Sequence, residues 1–145
     1  MASEHFYHRA RASNNAERVW AALQKLSTWK KIGGVDRLSD ERFDENGDLL
    51  AYRFMIIVAG SEFHGAAMRK VAVRQERMVM EIDSSQVTGE IAVRLEPDGE
   101  ATWVGLSLSM ASQGLFSAML FPMIVKAVAG GFEAAAAEFI NSLDY

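Results

Sequence analysis

Residues 87–110 read VTGEIAVRLEPDGEATWVGLSLSM, and this stretch decides the architecture of the chain. Apolar side chains and Gly89 recur at every second position from Val87 to Leu95, and apolar side chains recur again from Val104 to Met110. A period of two is the repeat of a β-strand with one buried face. The Pro-Asp-Gly-Glu sequence at 97–100 between the two runs is rich in turn-forming residues. The stretch therefore predicts a pair of antiparallel strands joined by a tight turn.

The same alternation extends upstream and predicts an antiparallel meander of about six strands between Val35 and Ala111. Asn46-Gly47 supplies the positive φ angles of a hairpin turn within 44–48. The other predicted strands and breaks are a strand at 49–58, a break at 59–60, a strand at 61–74, a turn at 74–77, a strand from Met78 and a loop at 83–85. Residues 5–12 also alternate, with Phe6, His8, Ala10 and Ala12 on the face predicted to point inward.

Helical periodicity occurs after the first strand and again at the C-terminal end. Apolar residues from Ala16 to Leu26 are spaced for an amphipathic helix of about three turns. Ser13 or Asn14 is its predicted N-cap, and Asn14 with Glu17 resembles a capping box. Ser27-Thr28 predicts a second, short helix that ends at Gly33-Gly34. A short helical piece is predicted at 115–120 and a long helix from near Pro122, whose apolar stripe is Val128, Phe132, Ala135, Ala136, Phe139, Ile140 and Leu143.

Composition narrows the class of protein. The length of 145 residues predicts a single domain spanning 1–145. Fifteen basic against nineteen acidic side chains give a net charge of −4, which argues against a nucleic-acid partner. Cysteine is absent, so disulfide scaffolds and thiol chemistry are excluded.

The apolar run at 115–125 is too short for stable membrane insertion and favours a buried helix over one that touches a membrane. With no secretory signal at the start, we expect a cytoplasmic protein.

The predicted order of one strand, two short helices, about six strands and a long helix resembles the helix-grip fold of the START/Bet v 1-like (SRPBCC) superfamily, including polyketide cyclase/dehydrase-type proteins. Three stretches resemble family motifs, namely 12–20 (ASNNAERVW), 99–104 (GEATWV) and the Gly114-Leu115-Phe116 opening of the terminal helix. Asn15 stands where the first motif commonly has proline. The resemblance implies an α+β fold in which a curved antiparallel sheet of about seven strands wraps around the C-terminal helix, enclosing an apolar cavity.

A second resemblance concerns one branch of that superfamily. Residues 31–35 (KIGGV), together with Gly89 and the opening of the terminal helix at 114–116, resemble the branch named for the G subunit of carbon monoxide dehydrogenase, although Gly-Gly stands where Pro-Gly is usual. The superfamily has no shared catalytic residue, so neither resemblance transfers a site. Members of the superfamily bind lipids, aromatics or polyketides, and some catalyse cyclisation or dehydration.

Several side chains are candidates for lining that cavity. Methionine is flexible enough to suit a pocket that adapts to varied apolar ligands, and aromatic residues supply large contact areas. The candidate ligand-binding residues are Phe6, His8, Tyr52, Phe54, Met80, Met110, Phe116, Met119, Leu120 and Met123. Each could equally be ordinary core packing.

The candidate acid/base residues are His8, Tyr52, Glu62 and His64. Glu62 and His64 share one strand face and could form a carboxylate–imidazole pair, although an exposed pair is the simpler interpretation. No third ligand accompanies them, so we predict no metal and no cofactor. Which face of strand 61–74 points inward stays open. Arg53, Arg69 and Lys70 could meet an acidic ligand, although an exposed strand face with solvated cations explains them more simply.

Three functions follow as hypotheses. The first is a non-catalytic carrier or sensor of a small hydrophobic molecule such as a lipid, polyketide or aromatic compound. The second is a polyketide cyclase/dehydratase-type lyase that uses polar cavity residues. The third is a membrane- or protein-assembly module like the dehydrogenase G-subunit branch. Edge strands could also pair two copies into a homodimer.

Overall fold

The computed structural model of the protein describes residues 3–30, 36–58, 60–84, 87–112, 121–122, 125–126, 129, 132–141 and 143. Its strands are β1 (Ser3–Ala12), β2 (Arg37–Phe43), β3 (Leu49–Val58), β4 (Ser61–Val73), β5 (Arg77–Ser84), β6 (Val87–Asp98) and β7 (Ala101–Ser112). Its helices are α1 (Ala16–Leu23), α2 (Leu26–Trp29) and α3 (Phe132–Asn141).

The seven strands form one antiparallel sheet in the order β1-β7-β6-β5-β4-β3-β2. All neighbours except β1 and β7 are also neighbours along the chain, which is the predicted meander. The C-terminal helix α3 packs against β1, with the Phe6 and Phe132 rings 5.4 Å apart. These features confirm the α+β class and the helix-grip fold.

Local chemistry explains the turn between β2 and β3. Oδ1 of Asp44 accepts hydrogen bonds from the backbone N–H groups of Asn46 and Asp48, and Gly47 has a φ of +81°. An aspartate that bonds its own turn and a glycine at positive φ are the usual means of reversing a chain. The predicted hairpin turn at 44–48 is confirmed.

The turn between β6 and β7 is shorter than predicted. Pro97 pairs with Thr102 and Asp98 with Ala101, so both residues continue the strand and only Gly99-Glu100 turns. Gly99 has a φ of +63°, which lets two residues reverse the chain. Likewise β5 runs on to Ser84, where a loop was predicted from residue 83.

The ends of α1 and α2 differ from the prediction. The N-cap of α1 is Asn15, whose Oδ1 accepts from the Arg18 N–H at 3.0 Å, and not Ser13 or Asn14. Asn14 instead donates from Nδ2 to the Leu143 carbonyl. α1 ends at Leu23 after about two turns, because the next residue, Gln24, leaves the helical path.

Gln24 explains this early end. Its buried side chain donates to the Trp20 carbonyl and accepts from the Leu49 N–H, so it joins the helix end to β3. Lys25 is the N-cap residue of α2 and makes no side-chain capping bond, so the Ser27-Thr28 cap prediction is wrong. Thr28 and Trp29 are buried, and the helix is held by packing.

The predicted stripe on the C-terminal helix is confirmed at four positions, where Phe132, Ala136, Phe139 and Ile140 are buried. Pro122 is described in helical conformation, but the predicted piece at 115–120 and the path from 123 to 131 lie largely outside the described residues. Among the described helices, none has the length and apolar character needed to cross a membrane.

Candidate functional site

The two ends of the inner sheet face carry side chains of different size. Near α1 and α2 the cross-strand row Met78, Val93 and Leu106 is fully packed, each residue being at most 1% exposed. At the opposite end the inner face carries several small residues among the larger Ile82, Val87 and Met110. We call this region the small-residue end, and it consists of Gly65, Ala67, Ser84, Gly89 and Ser112.

Two glycines leave little room for side chains of their own. A Cβ atom at Gly65 would lie 2.5 Å from Cζ of Phe54, and one at Gly89 would collide with the Ser109 carbonyl oxygen. The Phe54 ring therefore lies across its cross-strand partner Gly65, and β6 approaches β7 closely at Gly89. The Phe54 ring and the Ser109 backbone thus occupy the space that side chains at Gly65 and Gly89 would need.

Three aromatic side chains pack against one another beside the small-residue end. Tyr52 pairs with Ala67 in the sheet, its ring lies 6.1 Å from Trp29, and Trp29 lies 5.7 Å from Phe139 of α3. Nε1 of Trp29 donates to the Leu23 carbonyl at 2.7 Å, which fixes the indole. Sequence reasoning missed Trp29, because its role depends on how α2 packs.

The Tyr52 hydroxyl is a neutral hydrogen-bond donor. The residue is only 5% exposed, and desolvation raises its pKa well above the ordinary value of 10.0. Within the described residues the Tyr52 hydroxyl has no hydrogen-bond partner, whereas the side-chain polar atom that is both fully buried and unpartnered there is Trp20 Nε1. The arrangement can donate a proton in a hydrogen bond, whereas forming a phenolate base there would be costly.

β1 forms the other wall of the inner face. Phe6 and His8 are half-buried and point inward, as predicted, and His8 lies opposite Leu106. His8 and Tyr52 are five strand positions apart, which is about 24 Å along the sheet. The two candidate acid/base residues thus lie on opposite walls.

The other candidate lining residues divide into two groups. Phe54, Met80 and Met110 lie on the inner face, with Met80 fully buried opposite Ile91 and Met110 opposite Gly89. The remaining four candidates, Phe116, Met119, Leu120 and Met123, lie outside the described residues.

Glu62 and His64 do not join this site. Phe63, Gly65 and Ala67 form the inward face of β4, so Glu62 and His64 point outward. Their side chains are 61% and 70% exposed, with Oε2 and Nε2 3.4 Å apart. In the sequence, Phe63 and the small residues Gly65 and Ala67 occupy every second position, and this pattern could have identified the inward face of β4. Across the described ranges, no cluster of three acidic or histidine side chains could hold a metal.

The three strand cations all have partners. Arg53 and Lys70 are exposed, as predicted, with Asp40 at 3.9 Å and Glu90 at 2.6 Å. Arg69 is different, since its side chain is only 18% exposed and donates to Asp44 at 2.8 Å and to the Leu49 carbonyl. The prediction of an exposed strand face is wrong for Arg69, because Arg69 lies opposite Met80 on the inward face of β4. Its bond to Asp44 connects β4 to the β2–β3 turn.

No protein-family model and no curated protein sequence matches the chain. Solved structures do match its fold. The chain is similar to the ZhuI aromatase/cyclase from Streptomyces sp. R1128, with a TM-score of 0.72, 15% identity and coverage of 96% of this chain and 92% of that one.

A START superfamily protein from Mycobacterium smegmatis matches with a TM-score of 0.62, 9% identity and coverage of 88% of this chain and 96% of that one. A point mutant of norcoclaurine synthase from Thalictrum flavum, in complex with a transition-state analogue, matches with a TM-score of 0.60, 12% identity and coverage of 98% and 94%. The chain has the helix-grip fold that these START and Bet v 1-like structures share.

Proposed function

We propose that the protein binds a small, largely apolar molecule carrying a hydrogen-bond acceptor, between the small-residue end of the sheet and α3. The proposed occupant is a lipid, polyketide or aromatic compound, and the protein acts as its carrier or sensor. The observation that carries the proposal is Tyr52, which is only 5% exposed on the inner face and whose hydroxyl has no hydrogen-bond partner within the described residues.

The surrounding chemistry supports an apolar ligand. Phe54, Trp29, Met110 and Ile82 offer aromatic and aliphatic surface, and none carries a charge. A single donor in an apolar site fixes the orientation of a ligand, while area buried from water supplies most of the affinity. A structure with the same fold holds a transition-state analogue, which supports the use of this architecture for small molecules.

The test begins with the ligand itself. We expect native purification followed by mass spectrometry to identify a co-purifying apolar compound. We also expect an environment-sensitive apolar dye to bind saturably. Absence of both would contradict the proposal.

A matched pair of variants then locates the site. Ile82 faces inward between Ala67 and Gly89. The larger ring of Ile82→Phe would occupy space next to the proposed ligand, so we expect the dye to bind at least about tenfold more weakly. That loss equals the burial of roughly one or two methylene groups. Val79 lies on the same strand but on the outer face, so Val79→Phe should leave binding unchanged. Equal effects of the two variants would place the dye elsewhere.

A cyclase-type enzyme is a second candidate, favoured by the inward position of His8. The His8 imidazole could remove a proton at one end of an extended substrate, while the Tyr52 hydroxyl donates to a carbonyl oxygen at the other. On this hypothesis His8→Ala abolishes turnover of poly-β-keto thioester analogues and leaves the thermal midpoint unchanged. Unchanged turnover would remove His8 from the mechanism.

The hypothesis of an assembly module like the dehydrogenase G-subunit branch depends on residues 31–35 and 114–116, which lie outside the described residues. A cytoplasmic location and a homodimer stay predictions.

A further inference from the structure

The outer face of the sheet carries an arginine pair that has no acidic partner among the described residues. Arg77 of β5 lies directly opposite Arg94 of β6, and both are exposed. Like charges placed opposite each other across two strands are destabilising. Neither guanidinium is within ion-pairing distance of a carboxylate in the described part of the chain, whereas Arg9 and Arg11 on the same face pair with Glu96 and Asp98.

The pair lies in a concave part of the surface. An open groove of about 480 Å³ is lined by Val73, Glu76, Arg77, Arg94, Leu95 and Glu96. Of its two carboxylates, Glu96 is engaged by Arg9 at 3.1 Å, and that guanidinium also lies 4.3 Å from the centre of the Trp103 ring. Glu76 lines the groove from the adjoining turn, and within the described residues its carboxylate forms no ion pair with Arg77 or Arg94.

The turn between β4 and β5 adds a third cation to this corner. Arg74 begins the turn and is exposed, and Gln75 follows it at a φ of +63°. The Glu76 carbonyl accepts from the Leu95 N–H at 2.7 Å, which ties the turn to β6. Arg74 therefore lies in the turn that leads into Arg77, in a protein whose net charge is −4.

We propose that Arg77 and Arg94 form a binding site for a phosphate group on the outer face of the sheet. Two adjacent guanidinium groups present planar pairs of donors that match phosphate oxygens. A bound dianion attracts both groups and so offsets the repulsion between them. The exposed side chain of Val73 gives the groove an apolar edge for the carbon part of a phosphomonoester. The site lies on the face opposite Tyr52 and Ile82, so it is independent of the proposed apolar site.

The first test is a titration of the full chain with inorganic phosphate, followed by NMR or calorimetry, at ionic strength held constant with sodium chloride. We expect saturable binding to the wild-type protein. Arg94→Gln should raise the apparent dissociation constant at least about tenfold, because a charge-assisted pair is lost. Arg18→Gln removes an exposed arginine on α1 and should leave the dissociation constant unchanged.

A second readout keeps the test independent of folding defects. In low salt without phosphate, Arg94→Gln should have a thermal midpoint equal to or higher than the wild-type, because the like-charge pair is removed. Phosphate should then raise the midpoint of the wild-type and Arg18→Gln but not of Arg94→Gln. Equal responses of all three proteins, or a response that chloride reproduces at the same ionic strength, would overturn the proposal.

Vesicles distinguish the two sources of a phosphate group. Flotation with phosphatidylcholine vesicles that contain phosphatidic acid, compared with phosphatidylcholine alone, tests a lipid headgroup. Arginine-dependent flotation supports a headgroup, whereas phosphate binding without flotation supports a free phosphomonoester. Failure of both phosphate and vesicles to bind would overturn the site.

Discussion

Tyr52 combines a large aromatic surface with one donor that has no partner among the described residues. Because the hydroxyl makes no hydrogen bond there, Tyr52→Phe should leave the free energy of unfolding nearly unchanged. The variant should bind naphthol about 3- to 10-fold more weakly, the effect of losing a hydrogen bond worth about 0.5–1.5 kcal/mol. Naphthalene, which has no oxygen, should bind both proteins equally. Calorimetric titration checks the pair, and equal losses for the two ligands would contradict the role of the hydroxyl.

Asp44 gives the protein an acid-sensitive contact. Its hydrogen bond with Arg69, followed by bonds from the Asp48 and Asn46 backbone, lowers its pKa below the ordinary value of 3.8. A depressed folded-state pKa adds stability that is complete above the unfolded-state pKa and is lost as the pH falls through the folded value. Wild-type stability should therefore decline below about pH 4 more steeply than that of Asp44→Asn.

Urea denaturation across the acidic range measures this difference. Glu45→Gln, which changes the exposed neighbouring acid in the same turn, is the control and should follow the wild-type curve. Parallel curves for wild-type and Asp44→Asn would contradict the assignment.

Where polar and apolar residues alternate regularly, the sequence predicted on which face of the sheet each side chain lies. Phe6, His8 and Met80 point inward as the period of two requires. The Arg69–Asp44 contact was not predictable, since it joins two strands through a turn and precedes a register shift between Arg69 and Val71. A shift of one residue reverses the faces that follow it, and sequence alone does not place such a shift.

At the scale of single elements, two glycines of the β6–β7 pair differ sharply. A Cβ at Gly89 would meet the backbone carbonyl of Ser109, which cannot move without breaking the ladder. A Cβ at Gly105 would lie 3.0 Å from the hydroxyl of Tyr7, whose exposed side chain can turn aside. Gly89→Ala should cost about 1–3 kcal/mol, as overpacking does, and Gly105→Ala should cost less.

Equilibrium unfolding in urea gives both values under the same conditions. If Gly105→Ala proved as costly as Gly89→Ala, close approach of the backbone at Gly89 would not be the cause.

The elements themselves were largely predictable, whereas the helix ends were not. Strand alternation and turn residues located six of the seven strands to within a few positions, and for β2 they located only the turn that follows it. The end of α1 depends on Gln24 reaching the Leu49 N–H in a distant strand, and the start of α2 depends on packing of Trp29. Tertiary contacts therefore override the local capping preferences that Asn14 and Ser27 express.

For the whole molecule, a bound ligand should act as a stabiliser. A ligand that binds only the folded state adds about 2.7 kcal/mol at a concentration 100 times its dissociation constant. The co-purified compound should raise the thermal midpoint of wild-type and Val79→Phe, and Ile82→Phe should show a smaller shift at the same concentration. Equal shifts in all three proteins would contradict binding at the inner face.

The pairing of β1 with β7 imposes an order on assembly. His5 and Ser109 bond across 104 positions of the chain, while every other strand pairs with a neighbour in sequence. Long closures are entropically costly and slow, so the local hairpins gain their contacts first. During synthesis β1 emerges before all other strands yet has no partner until β7 has left the ribosome. Until β7 is available, the inward-facing residues of β1 are exposed and can contact other chains. A chaperone would therefore protect the protein most between the synthesis of β1 and that of β7.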